Sequence, residues 1–249
     1  MASTDPEWLL SRVRGVKVVL FDFDGPLCDL FAEYSAEMVA EHMKGYLDSE
    51  GWLLPKFSSY TDTHQLLYDV AEHGVPERIL RGLDAVLVEA ERQAAKVAHP
   101  TAGAAELIGL LAAADWPIAI TTNNSAASVQ VYLKEQGLDR SFNGRIFGRG
   151  DSPQLMKPHP SCLWEAMRAV GWENAPDNCL MVGDSTRDLV AAHRAGVRFL
   201  AYAGRGERYR ARGEALLAAG ADFLVRDMRE VTEAFSRADL RCRSAHVSE

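Results

Sequence analysis

The chain has 249 residues, 47% of them hydrophobic and 25% charged, with a formal net charge of -8. Length and composition are those of a soluble globular protein, one large domain or a domain with an insertion, and they argue against a disordered chain or a membrane protein. The acidic balance, with no Lys/Arg run interleaved with aromatics, argues against nucleic acid or an anionic membrane as the main partner.

Met1 to Glu7 lack a basic start followed by an apolar core, and no apolar run reaches the roughly 18 residues that span a bilayer, so a cytoplasmic protein is expected. The run Val18-Val19-Leu20-Phe21 reads as a buried strand, followed by Asp22 and Asp24 before Gly25-Pro26 ends it. Residues two apart on a strand look the same way, which puts both carboxylates at its carboxyl end, where open α/β sheets bind ligands. Paired acids there suit a metal ion and acid/base chemistry; two solvated acids are the plain structural alternative.

Past Asp24 the pattern turns helical. Phe31, Met38, Val39 and Met43 recur at helical spacing, interrupted by Gly45 and by 51–55; 66–70 fits a second helix and 79–97 a third, before His99-Pro100 breaks it. An all-helical stretch placed straight after such a strand predicts a helical cap, 29–99, over a core built from 1–28 and 100–240. Within it Lys56, Tyr60, His64, Arg78 and Arg81 are able to reach a leaving group, and the pattern selects none of them.

From 103 onward helices and short apolar strands alternate. The reading is helix 104–113, strand 117–121 ending in Thr122-Asn123-Asn124-Ser125, helix 126–136, strand 145–147, helix 161–170 and strand 179–182. Helix 188–195, strand 198–202, helix 207–219, strand 223–225 and helix 228–235 follow, and 241–249 reads as a flexible tail. Alternation of this kind means parallel β-α-β units, hence an α/β fold with a doubly wound, Rossmann-like parallel sheet and an inserted α-helical cap. The four cysteines, Cys28, Cys162, Cys179 and Cys242, show no metal-type spacing and read as reduced packing thiols.

Four polar clusters fall at strand ends that converge in this architecture: Asp22/Asp24, Thr122/Asn123, Lys157 and Asp184/Asp188. Carboxylates such as Asp22 and Asp184 bind hard cations, and a cation lowers the repulsion between an anionic phosphate and an anionic nucleophile. Asp22 is then placed to attack phosphorus, Asp24 to move a proton, Lys157 to balance charge and the Thr122 hydroxyl to donate to a phosphoryl oxygen. Thr121 and Thr122 point to opposite faces, so one meets the ligand while the other packs. Asn123 offers an amide to the phosphate, while Asn124 or Ser125 suits a helix N-cap; Asp188 either supports the metal site or accepts hydrogen bonds at a helix start.

In this order Asp22-Phe23-Asp24-Gly25, Thr122, Lys157-Pro158 and Gly183-Asp184 with Asp188 resemble the four motifs of the haloacid dehalogenase-like superfamily, over about residues 16 to 227. The insert resembles the helical cap of phosphoglycolate-phosphatase-like members. The resemblance implies that Asp22 is the nucleophile and Asp24 the general acid/base, that Thr122 and Lys157 hold the phosphoryl group, and that Asp22, Asp24, Asp184 and Asp188 form the Mg2+ site; Asn123 joins the phosphate-binding residues through its amide. It also implies a small phosphorylated metabolite as substrate, neither nucleic acid nor membrane as partner, and a monomer or homodimer. A phosphotransferase or mutase on the same scaffold, and a phosphate-binding module without turnover, are the rival readings.

Overall fold

The computed structural model describes residues 6–204 and 207–245. Its first part runs α1 (Pro6–Val13), β1 (Val18–Phe21), β2 (Cys28–Asp29), α2 (Ala36–Ser49), α3 (Thr63–Glu72), α4 (Glu77–Val97) and β3 (His99–Pro100). There follow α5 (Ala104–Ala113), β4 (Ile118–Ser125), α6 (Ala126–Glu135), α7 (Asp139–Phe142), β5 (Ile146–Arg149) and α8 (Ser161–Ala169). The chain closes with β6 (Cys179–Gly183), α9 (Thr186–Ala195), β7 (Arg198–Tyr202), α10 (Glu207–Ala218), β8 (Phe223–Val225) and α11 (Met228–Ala245).

Six strands form one sheet in the order β5-β4-β1-β6-β7-β8, every pair parallel. Alternate side chains of β1 feed two separate cores, which is why its apolar run is continuous. Val19 and Phe21 pack with α1, α5, α6 and α11, whereas Val18 and Leu20 pack with α8, α9 and α10. Because β4 lies on one side of β1 and β6 on the other, the winding reverses at β1 and opens a crevice at its carboxyl end.

The helical insert carries an apolar cluster of its own, built around Met43, Leu47, Phe57, Leu66, Ile79 and Leu83. Its two ends meet in the short antiparallel ladder of β2 and β3, with Cys28 opposite Pro100 and Asp29 opposite His99. Side-chain caps begin two of its helices: Ser35 Oγ accepts the Met38 N–H at 3.3 Å and Asp62 Oδ1 the Gln65 N–H at 2.9 Å. None of the described helices is long and apolar enough to cross a membrane.

Several local expectations give way to packing. The helix expected to break at Gly45 runs on to Ser49, because burial of Val39, Met43 and Leu47 outweighs the roughly 1 kcal/mol that a helical glycine costs. Phe31 lies ahead of that helix, and Met38 points outward, 59% exposed, whereas Lys44 is buried with its ammonium on the Ser58 carbonyl at 3.1 Å. β4 does not stop at Thr121 but continues through the polar cluster to Ser125, where it pairs with Arg149 of β5 after a register shift. Residues 241–245, expected in the tail, continue α11, and 246–249 lie outside the described residues. The helix at Pro6–Val13 has no counterpart in the sequence reading.

Candidate active site

All seven residues singled out by the sequence line one crevice of about 130 Å3 at the end of β1. Beyond Phe21 the Asp22 N–H donates to the Val182 carbonyl at 2.8 Å, and the chain then folds into a tight turn in which the Gly25 N–H donates to the Cys28 carbonyl at 2.7 Å. Gly25 holds φ +101, and a Cβ there would meet the Asp184 carboxylate at 2.5 Å, so a side chain is excluded on two counts. Tyr132 braces the turn from below, its hydroxyl donating to the Leu27 carbonyl at 2.9 Å and its ring edge-on to Phe23 at 5.3 Å. Asp24 Oδ1 accepts the Leu30 N–H at 2.9 Å, which ties this carboxylate to the far side of the turn.

Lys157 is 3% exposed and held at both ends. Its N–H donates to Asn123 Oδ1 at 2.7 Å and its carbonyl accepts from Asn123 Nδ2 at 3.0 Å, so the Asn123 amide is engaged by backbone and acts on the crevice through Lys157. The ammonium donates to the Thr121 carbonyl at 2.9 Å and to Asp188 Oδ1 at 2.5 Å, and pairs with Asp22 Oδ1 at 2.9 Å. These anions keep Lys157 protonated far above the usual lysine range, despite the opposing cost of burial. Thr121 turns its hydroxyl to the Met181 sulfur at 3.3 Å, inside the sheet, while Thr122 lines the crevice, where its hydroxyl donates to Asn124 Oδ1 at 3.0 Å. Ser125 caps α6, accepting the Ser128 N–H at 3.3 Å.

Asp22, Asp184 and Asp188 each bring a carboxylate oxygen within 4.8 Å of the others, whereas the Asp24 carboxylate stands outside this group. The group fits a hard divalent cation: it gathers acidic oxygens that repel one another, and oxygen ligands are what magnesium takes. Asp188 supports it from behind, since its Oδ2 accepts the Ser185 N–H at 3.0 Å and hydroxyl at 2.6 Å in a capping box at the start of α9. On Asp184 the Arg212 guanidinium donates to Oδ2 at 2.5 Å.

Burial, then repulsion from Asp188, raises Asp22 to about 7, with Lys157 pulling the other way. Burial raises Asp24 to about 6, and burial with repulsion from Asp188 and Asp22 takes Asp184 well above the carboxylate range. Without metal, the folded protein therefore binds more protons between pH 4 and 7 than the unfolded chain, whose acids titrate near 3.9, so its stability falls as pH rises through that window. A divalent cation reverses the preference by favouring the anions. Thermal unfolding of the metal-free protein is expected to have its midpoint several degrees higher at pH 5.5 than at pH 8, and added magnesium to raise it more at pH 8. Equal gains from magnesium at the two pH values would contradict this account.

Across the crevice the insert contributes groups that the sequence did not select. Glu91 of α4 is fully buried and ionised, with its carboxyl at about 2: burial opposes ionisation, and the adjacent Arg149 guanidinium more than offsets it. Arg149 donates to Glu91 at 2.8 Å, to Asp84 at 2.6 Å and to the Asn123 carbonyl at 2.7 Å, so the insert is bonded to β4 beside the lysine clamp. Arg187 of α9 donates to Asp62 at 2.6 Å and to Gln65 Oε1 at 3.1 Å, a second clasp between core and insert. Of the five insert residues raised as leaving-group contacts, His64 alone lines this crevice. Lys56 bonds His73, Tyr60 bonds Asp69, Arg78 bonds Glu50 and Arg81 bonds Glu77. Cys28, Cys162 and Cys179 are buried and free; the Cys242 side chain lies outside the described residues.

A doubly wound sheet with acids and a buried lysine at its switch point, under a helical insert, defines a capped α/β protein with an acidic cluster beside a buried cation. The model of the haloacid dehalogenase-like hydrolases matches residues 16–196, and the chain belongs to that family of enzymes. The phosphoglycolate phosphatase of Neisseria gonorrhoeae (strain ATCC 700825 / FA 1090) is 29% identical over 193 residues, 75% of this chain and 79% of that one. The phosphoglycolate phosphatase of Haemophilus influenzae (strain 86-028NP) is 38% identical over 79 residues, so this chain spans about a third (34%) of that relative's length. A hydrolase from Pseudomonas syringae has the same fold at TM-score 0.63 and 21% identity, covering 89% of this chain and 98% of that one. So does a hydrolase of the family from Deinococcus radiodurans R1, solved with bound phosphate and sodium, at TM-score 0.61 and 24% identity, covering 91% and 97%. The chain is thus a phosphoglycolate-phosphatase-like member of the family.

Proposed function

We propose that this protein is a magnesium-dependent phosphatase that hydrolyses a small phosphate monoester through an aspartyl-phosphate on Asp22, with 29–99 as the cap. The observation that carries the reading is the Asp22 carboxylate at the switch point, paired with the Lys157 ammonium at 2.9 Å, with a second carboxylate two residues on in the same crevice. The names of the relatives support a phosphatase, and the size of the crevice supports a small substrate.

Asp22 uses a carboxylate oxygen to attack phosphorus, and the bond from phosphorus to the ester oxygen breaks. Asp24 gives that oxygen a proton; burial keeps its carboxyl near 6, close enough to neutrality for it to hold a proton and then give it up. The same carboxylate next takes a proton from the water that attacks phosphorus, releasing phosphate and restoring Asp22. Lys157 and Thr122 hold the phosphoryl oxygens, and Asn123 fixes Lys157. Asp22 and Asp184, with Asp188 behind them, would hold magnesium, which neutralises phosphoryl charge so that the Asp22 anion can approach. Asp24, outside that group of acids, keeps the proton-moving role.

Purified protein challenged with a panel of phosphorylated metabolites should release phosphate with magnesium and none with a chelator. An isomerised ester without free phosphate would mean transfer to a second hydroxyl instead. Asp24→Asn should slow turnover of alkyl phosphates by about 10²-fold or more. It should slow 4-nitrophenyl phosphate less, since nitrophenolate departs without a proton; equal losses on both would contradict the acid role.

A further inference from the structure

His64 stands on the first turn of α3 and lines both the catalytic crevice and an adjoining cavity of about 210 Å3. Its mount is rigid: Asp62 caps the helix immediately before it and is itself held by Arg187 from the core. Its Nε2 lies 3.3 Å from Glu91 Oε1. The Glu91 carboxylate also accepts the Ser125 N–H at 2.8 Å and the Arg149 guanidinium, and it is buried on all sides. An ionised carboxylate only accepts hydrogen bonds, so the proton in the contact belongs to Nε2, and the ring's tautomer and orientation are set from behind. Among the described residues no protein group is bonded to Nδ1, and that edge of the ring is available to a ligand.

We propose that His64 binds the leaving group of the substrate and that Glu91 is its positioning residue. The inference rests on the phosphatase reading for where the phosphoryl group sits, between Asp22 and Lys157. With the phosphoryl group there, the rest of the ester extends into the adjoining cavity, whose walls include His64, Gln65, Tyr68 and Arg187. Those walls set polar groups beside the apolar Met156 and Pro158, and with Nε2 donating to Glu91 the Nδ1 edge accepts, so the leaving group it fits carries a hydroxyl close to the ester oxygen. A bare phosphate ion ends before it reaches them.

The test uses binding, so that no turnover is needed. In the Asp22→Asn background with magnesium present, calorimetry compares inorganic phosphate, phosphoglycolate and glycerol 3-phosphate. His64→Ala should weaken glycerol 3-phosphate about tenfold, the effect of losing one hydrogen bond from its hydroxyl, and change phosphate and phosphoglycolate, whose carboxylate has no proton to donate, by less than about twofold. Glu91→Gln keeps the shape but removes the orienting anion, so relative to phosphate it should weaken glycerol 3-phosphate when His64 is present and not in the His64→Ala background, any effect through Arg149 and Asn123 on Lys157 being common to both ligands. Equal weakening of all three ligands, no weakening of glycerol 3-phosphate, or glycerol 3-phosphate bound by the His64 protein no better than phosphate overturns the leaving-group role. A Glu91→Gln effect on the ratio of glycerol 3-phosphate to phosphate affinity that is the same in both backgrounds overturns the positioning role. Failure of the phosphatase reading looks different: the esters bind as described, and the parent protein releases no phosphate from them.

Discussion

Asp22→Asn should lower phosphate release by about 10³-fold or more while the protein stays folded. The amide keeps the volume of the carboxylate but is neutral and has no oxygen able to form the acyl phosphate. Burial and the nearby Asp188 carboxylate already disfavour the Asp22 anion, and Lys157 is what keeps it within reach at neutral pH. Removing the charge therefore abolishes the nucleophile and relieves a repulsion, so the metal-free variant should unfold at a temperature no lower than its parent at pH 8. The two measurements belong together, since a variant that lost both activity and its unfolding transition would say nothing about chemistry. Acid-quenched parent enzyme should carry a phosphoryl adduct by mass that the variant lacks. Turnover at the parent rate in the variant would end the aspartyl-phosphate mechanism.

The parallel strands were legible because each is buried on both faces, which forces a continuous apolar run bounded by Gly, Asp or Asn. Val18–Phe21 and Cys179–Gly183 are of that kind, and the acids that follow them stand where the sheet topology places ligands. The polar end of β4 was illegible for the same reason reversed. Thr122 to Ser125 look like a loop until Glu91, 34 residues before Ser125, supplies a partner for the Ser125 N–H, and Lys157 supplies partners for Asn123. A lone Glu in a charged helix such as α4 reads as solvated, and nothing local marks it as buried against Arg149, 58 residues on. In the sequence His64 is one of five candidates, and only the fold, which places it alone of the five on the crevice, distinguishes it. Helix ends were lost to tertiary packing, as at Gly45, which the apolar stripe of α2 carries inside the helix.

Arg149→Met should destabilise the protein by about 3–5 kcal/mol, the range for removing one partner of a buried ion pair. Arg149 is 1% exposed at its side chain and Glu91 0%, so the attraction between them is not screened by solvent and the surviving carboxylate cannot find water instead. Methionine fills much of the volume, and the loss is therefore electrostatic rather than a cavity effect. The pH dependence separates the two. In the parent, Glu91 is held at about 2 when folded against an unfolded value near 4.3, so its contribution is complete above pH 4.3 and is lost as pH falls towards 2. Once Arg149 is gone, burial raises the Glu91 pKa above the unfolded value, and the variant then loses stability as pH rises past 4. Urea unfolding should accordingly show a gap between parent and variant that is wider at pH 7 than at pH 4. Activity should fall as well, since the same guanidinium holds the Asn123 carbonyl and Asn123 clamps Lys157. If the gap were the same at both pH values, packing and not charge would join α4 to β4.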